Sequence, residues 1–328
     1  KFSGELKMRF RHLTSAVAQI LLNASSGPIL RGNDFLLIGN SQRPSILNLT
    51  EGTFEQFSNY QTQSFAATSD KVAVIYYSSG YRVAVFDHSA NELSNFSTGT
   101  QQSASIRMTD TKIFVSDSQD DTSGTDSGAI YVYDHDGSNK TKITFPGSTN
   151  DYSGNAIDKL AVGSGKIAVG SDYYPNFSSK GKVDLMDEDG SNVITIYPAL
   201  SNQSNFGSTV NIHNDKLYIS ASGSNAQKVY EYDLSGNLLR TFDYPSGGSG
   251  GFGSDVSFYG SKMAVSANVR ERCYIFDLES ASQEYVVVSY AGHHTKQTSN
   301  SNMGFGQSLE LTSDSLFVGA PSETNNGV

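Results

Sequence analysis

The sequence of 328 residues has a single cysteine, no long apolar run and few basic residues. Cys273 has no partner for an internal disulfide, so the fold does not depend on oxidation. No run approaches 18 apolar residues, which excludes a membrane-spanning helix. The net charge is −10, with 33 acidic against 23 basic residues, and this balance argues against nucleic-acid binding.

Aromatic residues and glycine are abundant. Tyr and Phe contribute 18 residues each, and 31 Gly stand against 7 Pro. This composition, with many Ser, Asn and Thr, favours short strands joined by turns around a packed core. Cys273 lies in a strand-like segment at 272–276 (RCYIF), which predicts a buried, unreactive thiol rather than a nucleophile.

A short hydrophobic string that follows a polar turn recurs seven times. The period is about 47 residues, which matches the size of a four-stranded propeller blade. Examples are 166–170 (KIAVG) and 262–266 (KMAVS). The strings begin near residues 35, 71, 112, 166, 216, 262 and 315.

A second landmark follows each of the first six strings. It alternates β-branched and aromatic residues and usually closes on Asp, as in 130–134 (IYVYD), before a turn such as 134–137 (DHDG). These segments predict a strand, a tight turn with Gly at positive φ, and another strand. We therefore expect an all-β fold, a seven-bladed β-propeller over residues 27–328. A linear β-solenoid is the alternative, although its coils are usually shorter and more regular.

The seventh unit is incomplete, because it begins at Ser315 and the sequence ends at Val328. Residues 1–26 offer the missing material. Phe2, Leu6, Met8 and Phe10 would share one face of a strand. We expect this N-terminal strand to complete the last blade, so that residues 1–26 act as a closing and docking segment. A fragment of a longer protein is the alternative.

Three segments place Phe-Gly ahead of a hydrophobic string, at 205–210 (NFGSTV), 251–256 (GFGSDV) and 304–309 (GFGQSL). Together with 318–321 (VGAP), they resemble the FG-GAP repeat, the blade unit of integrin α-subunit propellers and of many microbial proteins. Residues 116–139 resemble the variant found in structural proteins of tailed phages, especially marine ones. This resemblance implies a propeller in a virion. The absence of Trp argues against WD40, quinoprotein and Asp-box sialidase propellers.

The metal-binding loops of calcium-binding FG-GAP blades are not matched here. The corresponding intervals, 211–215 and 258–261, have too few oxygen ligands. Four acids fall within ten residues, a spacing that does not match an EF-hand, and this pattern favours an acidic solvated loop, with a calcium site as the alternative. These acids are Asp117, Asp120, Asp121 and Asp126.

Catalytic motifs are scarce. The six His residues show no zinc-binding spacing, and no Gly-x-Ser-x-Gly elbow marks a nucleophilic serine. We therefore expect no catalytic residues, no cofactor other than the calcium candidate, and no enzymatic activity. A propeller glycan hydrolase or lyase is kept as an alternative, because triad residues meet in space and not in sequence.

Two groups of residues are candidates for binding. The loop tyrosines Tyr173, Tyr174 and Tyr244 could stack on sugar rings, and packing at blade edges is the alternative. Residues 12–23 have a helical pattern, with a stripe formed by Leu13, Val17, Ile20 and Leu21. Next to the basic Lys7, Arg9 and Arg11, this stripe predicts docking to an acidic partner. A plug over one end of the ring is the alternative.

These observations favour a non-enzymatic binding or structural module. By resemblance, we expect a phage virion component in a fibre, tail or capsid that serves assembly or host adsorption. Its partners would be other virion proteins, or a receptor or glycan on the host surface, with no nucleic acid and no membrane insertion. The alternative is a microbial adhesion protein that is secreted or displayed on the cell surface.

Overall fold

Short β-strands dominate the fold, and no α-helix occurs in the part of the chain that the structure describes. The structure is a computed structural model. It describes residues 29–31, 35–38, 45–48, 54–56, 62–144, 159–172, 174, 180–199, 204–223, 226–248, 250–280, 283–289, 306–312 and 316–319. Among these residues there is no helix long and apolar enough to cross a membrane.

The strands form antiparallel sheets in which each strand pairs with the next one in the chain. Sheet 1 has β1 (Ile29–Arg31), β2 (Phe35–Ile38), β3 (Ser45–Asn48) and β4 (Phe54–Gln56). Sheet 2 has β5 (Thr62–Ala67), β6 (Lys71–Tyr77), β7 (Tyr81–Asp87) and β8 (Glu92–Ser97). Sheet 3 has β9 (Ser103–Met108), β10 (Lys112–Asp117), β11 (Ala129–Asp134) and β12 (Thr141–Ile143).

The second half of the chain continues the same pattern. Sheet 4 has β13 (Leu160–Gly163), β14 (Lys166–Ser171), β15 (Lys182–Asp187) and β16 (Ile194–Ile196). Sheet 5 has β17 (Phe206–His213), β18 (Lys216–Ala221), β19 (Lys228–Asp233) and β20 (Leu238–Asp243). Sheet 6 has β21 (Phe252–Tyr259), β22 (Lys262–Ala267), β23 (Arg272–Asp277) and β24 (Tyr285–Ser289). Two further strands, β25 (Leu309–Leu311) and β26 (Leu316–Val318), pair with each other.

The hydrophobic strings form the second strand of each sheet, so the sheets begin one strand earlier than the strings. A short turn joins each string to the strand before it, as 109–111 joins β9 to β10. The two strands therefore pair with each other. The strands follow one another along the chain as expected. Their grouping differs, because each unit was expected to begin at a string, whereas each sheet begins with the strand before it. The closing role assigned to residues 1–26 lies outside the described residues.

The second and third strands of a sheet are tied together at one end by a repeated Lys–Asp pair. Lys at the start of the second strand lies opposite Asp at the end of the third, as in Lys166 and Asp187 of sheet 4. The Nζ of Lys166 lies 2.5 Å from Oδ1 of Asp187, and Lys112–Asp134 and Lys262–Asp277 repeat this distance. The same Asp side chains accept hydrogen bonds from the turn that follows, which confirms the predicted turn chemistry.

The first strands of successive sheets contact one another from β1 to β25, and β25 also contacts β1. Hydrophobic clusters fill the spaces between neighbouring sheets. One cluster, for example, joins Val183 and Leu185 of β15 to Phe206 and Val210 of β17. Cys273 is fully buried in the cluster between sheet 6 and β25, which confirms the buried thiol. Burial raises the pKa of this thiol to about 12.

The Phe-Gly pairs mark a close contact between adjacent sheets. Phe206 and Phe252 are buried, and Gly207 and Gly253 follow them at φ 86° and 87°, in the region that favours glycine. A Cβ on Gly170 of sheet 4 would lie only 2.1 Å from the carbonyl oxygen of Gly207. The repeated Phe-Gly therefore reflects backbone packing from one sheet to the next.

Candidate functional site

The long connections of the chain are concentrated at one end of the sheets. The connections between the first and second strands, such as 164–165 and 214–215, are two or three residues long where both strands and the turn are described. Two other kinds of connection lie at the opposite end. One joins the second strand to the third, as in 118–128 and 172–181, and the other joins each fourth strand to the next sheet. We call this second end the loop end and the other the turn end. The predicted site residues that the structure describes all lie at the loop end. They are the four acids of 117–126, Tyr174 and Tyr244.

Of the four acids of 117–126, the first ends β10 and the other three lie in the loop that follows it, and their hydrogen-bond partners differ. The carboxylate of Asp117 accepts backbone N–H bonds from Gln101 and Gln102, at 2.8 and 3.0 Å. Asp121 accepts the backbone N–H of Asp126 at 2.8 Å. No group of three potential metal ligands occurs among the residues that the structure describes. The carboxylates thus fix the loop, and calcium binding there stays a prediction.

Asp120 is the centre of a polar network between this loop and strands β11 and β12. Its carboxylate lies 2.5 Å from Nζ of Lys142 and accepts a hydrogen bond from the hydroxyl of Tyr131 at 2.9 Å. Burial alone would raise the pKa of Asp120, but hydrogen bonds from Lys142, Thr122 and Tyr131 outweigh it and lower the pKa to about 2. Asp120 is therefore ionised at neutral pH and anchors the loop.

Tyr174 is held firmly at the loop end, whereas Tyr173 lies outside the described residues. The backbone N–H of Tyr174 donates to the Ser171 carbonyl at 3.1 Å, and its own carbonyl accepts from the N–H of Gly181 at 2.8 Å. Nζ of Lys182 lies 5.0 Å from the centre of the Tyr174 ring. The Tyr197 ring is 5.8 Å away at an interplanar angle of 46°.

Tyr244 has the packing role that the sequence left open as an alternative. It is buried and its ring stacks on Phe252, with centroids 5.5 Å apart. The ring of Tyr274 meets it edge-on at 5.7 Å. A Cβ on Gly250 would lie 2.5 Å from the Tyr244 hydroxyl oxygen. These contacts place Tyr244 in the interface between sheets 5 and 6.

The sequence interpretation missed Tyr197, which is 52% exposed at the loop end. A signal was available, because Tyr-Pro occurs at 174–175, 197–198 and 244–245, each time in a connection at this end. The predicted docking residues Leu13, Val17, Ile20 and Leu21 lie outside the described residues.

Two buried ion pairs stand beneath the connection that carries Tyr174. Lys159 and Asp172 pair at 2.6 Å, and Lys182 and Asp184 at 3.0 Å. Asp184 also accepts a hydrogen bond from the Thr195 hydroxyl at 2.6 Å. Burying charges is costly unless they are paired, so these pairs hold both ends of the connection in a defined position.

Comparisons with known proteins bear on the fold. No protein-family model and no curated protein sequence matches the chain. Among solved structures, it is similar to a chain of the mitotic checkpoint complex, with a TM-score of 0.64, 12% identity, and 90% of this chain and 84% of that one covered.

Two further structures extend this likeness. Hydrazine synthase of Kuenenia stuttgartiensis gives a TM-score of 0.62 at 13% identity, with 91% of each chain covered. Hsv2 of Kluyveromyces marxianus gives 0.56 at 14% identity, with 89% of each chain covered. The fold is a β-propeller. This likeness to propeller structures, together with the repeated four-stranded sheets, confirms the predicted architecture at this level.

Proposed function

We propose that this propeller is a non-enzymatic binding module of the FG-GAP type, with seven blades, carried by a phage virion and binding through its loop end. The concentration of long connections at that end supports this proposal most strongly. A rigid scaffold with adaptable loops on one side is a common arrangement for recognition sites. The opposite end has shorter connections that are held by Lys–Asp pairs, and it therefore offers less loop surface.

Seven blades are supported by the contacts of the first strands. β25 contacts β21 of sheet 6 on one side and β1 of sheet 1 on the other. The pair β25–β26 would then belong to a seventh blade between sheets 6 and 1. Closing the ring removes the exposed sheet edges that otherwise pair with other chains.

The virion assignment is supported by the residues of the 116–139 segment, and the structure supplies a physical role for them. Its acids hold a long connection in place at the loop end through Asp117 and Asp120. A loop that is anchored in this way loses less conformational freedom when it binds a partner. Host adsorption and contact with neighbouring virion proteins both need such a preorganised surface.

Two measurements test the proposal with the full chain. An antibody raised against the purified protein should label particles in a phage preparation, seen by immunogold electron microscopy. The purified protein should also bind intact host cells.

A variant in which residues 118–128 are replaced by the short Ser-Ser-Gly turn of 78–80 should lose binding to cells or particles. A turn-end variant, Asn192→Ala, is the matched control and should bind normally. Labelling of cell envelopes without particles would instead favour the microbial adhesion protein.

A further inference from the structure

We propose that Tyr77 and Tyr81 form a saccharide-binding subsite at the loop end of sheet 2. This inference deepens the proposed function and rests on it, because it names the ligand class and the residues of the binding surface. The two tyrosines end β6 and begin β7, and they lie directly opposite each other across the hairpin. Their ring centroids are 5.2 Å apart at an interplanar angle of 76°, so the rings meet edge-on.

The tyrosine pair lies at the entrance to the space between sheets 2 and 3. Side chains two residues apart in a strand lie on the same face of the sheet. Tyr77 therefore shares a face with Ile75, and Tyr81 with Val83, and both of these aliphatic residues are buried in the cluster that includes Tyr133 of sheet 3. Ile75 is completely buried, whereas Tyr77 is 60% exposed. The pair thus continues the packed face of sheet 2 outward to the solvent.

Tyr77 is an isolated aromatic group on a polar surface. Its ring contacts that of Tyr81, which is half-buried. In the described stretch 62–144 the exposed large hydrophobic side chains are Tyr77 and Leu93, and Leu93 lies near the start of β8 at the turn end. A stable protein interface needs about 800 Å² from each partner, with an apolar core. A single exposed ring beside a second one is instead of the size that suits a sugar ring.

The connection 98–102, which runs from sheet 2 to sheet 3, is fixed beside the hairpin tip. The backbone N–H of Thr98 donates to the carbonyl of Tyr81 at 3.0 Å, and the Thr98 hydroxyl donates to the same oxygen at 2.9 Å. The carbonyl of Thr98 accepts hydrogen bonds from the hydroxyl of Tyr133 at 2.6 Å and from Nζ of Lys140 at 2.7 Å. Sheet 3 therefore holds this connection against the tip of sheet 2.

The far end of the connection is held by Asp117, which accepts the backbone N–H groups of Gln101 and Gln102. Both glutamines are exposed, and a side-chain amide both donates and accepts hydrogen bonds. A surface whose backbone is fixed before a ligand arrives loses less conformational freedom on binding. The tyrosine pair and the two amides therefore form a preorganised rim at the entrance between the sheets.

Saccharides fit this surface better than other ligands. A tyrosine offers an apolar ring face for the C–H groups of a sugar and a hydroxyl that forms hydrogen bonds. The tip at 78–80 (SSG) and the segment 97–102 (STGTQQ) contain hydroxyl and amide side chains and no charged residue. A neutral mixed surface of this kind complements alternating C–H and O–H groups. Phosphate groups and basic peptides, by contrast, are recognised through charged side chains.

The test uses the full-length protein on an array of bacterial surface polysaccharides, with affinities for any bound saccharide measured by calorimetry. We expect at least one saccharide to bind, and Tyr77→Ala to weaken it by about tenfold or more, the scale for losing an aromatic anchor. Tyr77→Phe should retain most of the affinity, because it keeps the ring. Tyr259→Ala removes a ring that is 48% exposed at the turn end and should have no effect.

Thermal melting separates binding from folding, and Tyr77→Ala and Tyr259→Ala should melt at the same temperature. If Tyr77→Ala melts lower, Tyr77→Leu takes its place, because leucine keeps an apolar side chain at the tip but no aromatic ring. It should show the same loss of affinity. Full affinity in a variant without the ring overturns the subsite.

A second arm separates this inference from the proposed function. Host cells are treated with periodate, which oxidises sugars, or with protease, and binding of the protein is measured. Loss of binding after periodate supports the saccharide subsite. Binding that survives periodate but not protease, or an array without any bound saccharide, overturns the subsite and leaves the binding module intact. Absence of binding to cells and particles alike overturns the proposed function itself.

Discussion

Replacing Gly181 by alanine should disrupt the contact between sheets 4 and 5 and disturb the Tyr174 connection. Gly181 has φ 86°, and a Cβ there would lie 2.0 Å from the carbonyl oxygen of Phe206. That oxygen is the backbone carbonyl of Phe206, the first residue of a Phe-Gly pair, so it cannot swing aside as a side chain would. Either sheet 5 moves outward or the connection is rebuilt.

The expected loss of stability in Gly181→Ala has two contributions. A variant at a second glycine separates them. Left-handed backbone costs a residue with a side chain about 1–2 kcal/mol. Forcing extra volume into a packed interface adds about 1–3 kcal/mol. Gly165 of the same sheet has φ 73° but no atom within 4 Å of a would-be Cβ, so Gly165→Ala should cost only the first part.

The two variants are compared by urea unfolding and thermal melting. We expect Gly181→Ala to lower the free energy of unfolding by about 1–3 kcal/mol more than Gly165→Ala, with each kcal/mol lowering Tm by about 2–4 °C. Gly181→Ala should also loosen the connection that carries Tyr174, since the N–H of Gly181 donates to the Tyr174 carbonyl. Equal losses of stability in the two variants would refute the close contact between the sheets.

Three further predictions concern charge and burial. The carboxylate of Asp120 has a pKa of about 2 against an ordinary value of 3.8, so its contribution to stability is complete above pH 4 and is lost as the pH falls toward 2. Asp120→Asn should therefore lower stability by about 1–2 kcal/mol at pH 6 and approach the wild type near pH 2, as measured by urea unfolding across this range. The thiol of Cys273 should react with a disulfide reagent at pH 8 only after unfolding, because burial raises its pKa to about 12; rapid labelling of the folded protein would contradict this. Lys166→Met should cost less than about 1 kcal/mol in urea unfolding, since its ion pair with Asp187 is partly exposed, and a larger loss would show that the Lys–Asp pairs carry more of the fold than we infer.

Strand positions were predictable from local patterns. The Lys-initiated strings and the segments that close on Asp are β-branched and aromatic, and each is bounded by turn residues. They correspond to β6, β10, β14, β18 and β22 and to the strands that follow them. The grouping of strands into sheets could not be predicted from local patterns. It depends on which of the two neighbouring strands in the chain forms hydrogen bonds with each string.

Side-chain roles at the loop end depended on register. The backbone pairing places Tyr197 at the position of Asp243, whereas Tyr244 corresponds to Pro198. One residue along a strand reverses the face on which a side chain lies, so Tyr197 is exposed and Tyr244 is buried. The Tyr-Pro dipeptide is the same in both places, and no local signal distinguishes them.

By itself, the sequence determined the strands, the turns and the repeat, because these depend on the preferences of neighbouring residues along the chain. Tertiary structure alone decided which loop residues meet. Residues 174 and 197 are 23 positions apart in the sequence, yet their rings lie 5.8 Å apart. Tertiary structure also decided that Asp120 would face Lys142. The physical reason is that hydrogen-bond register and packing between sheets act across distant parts of the chain.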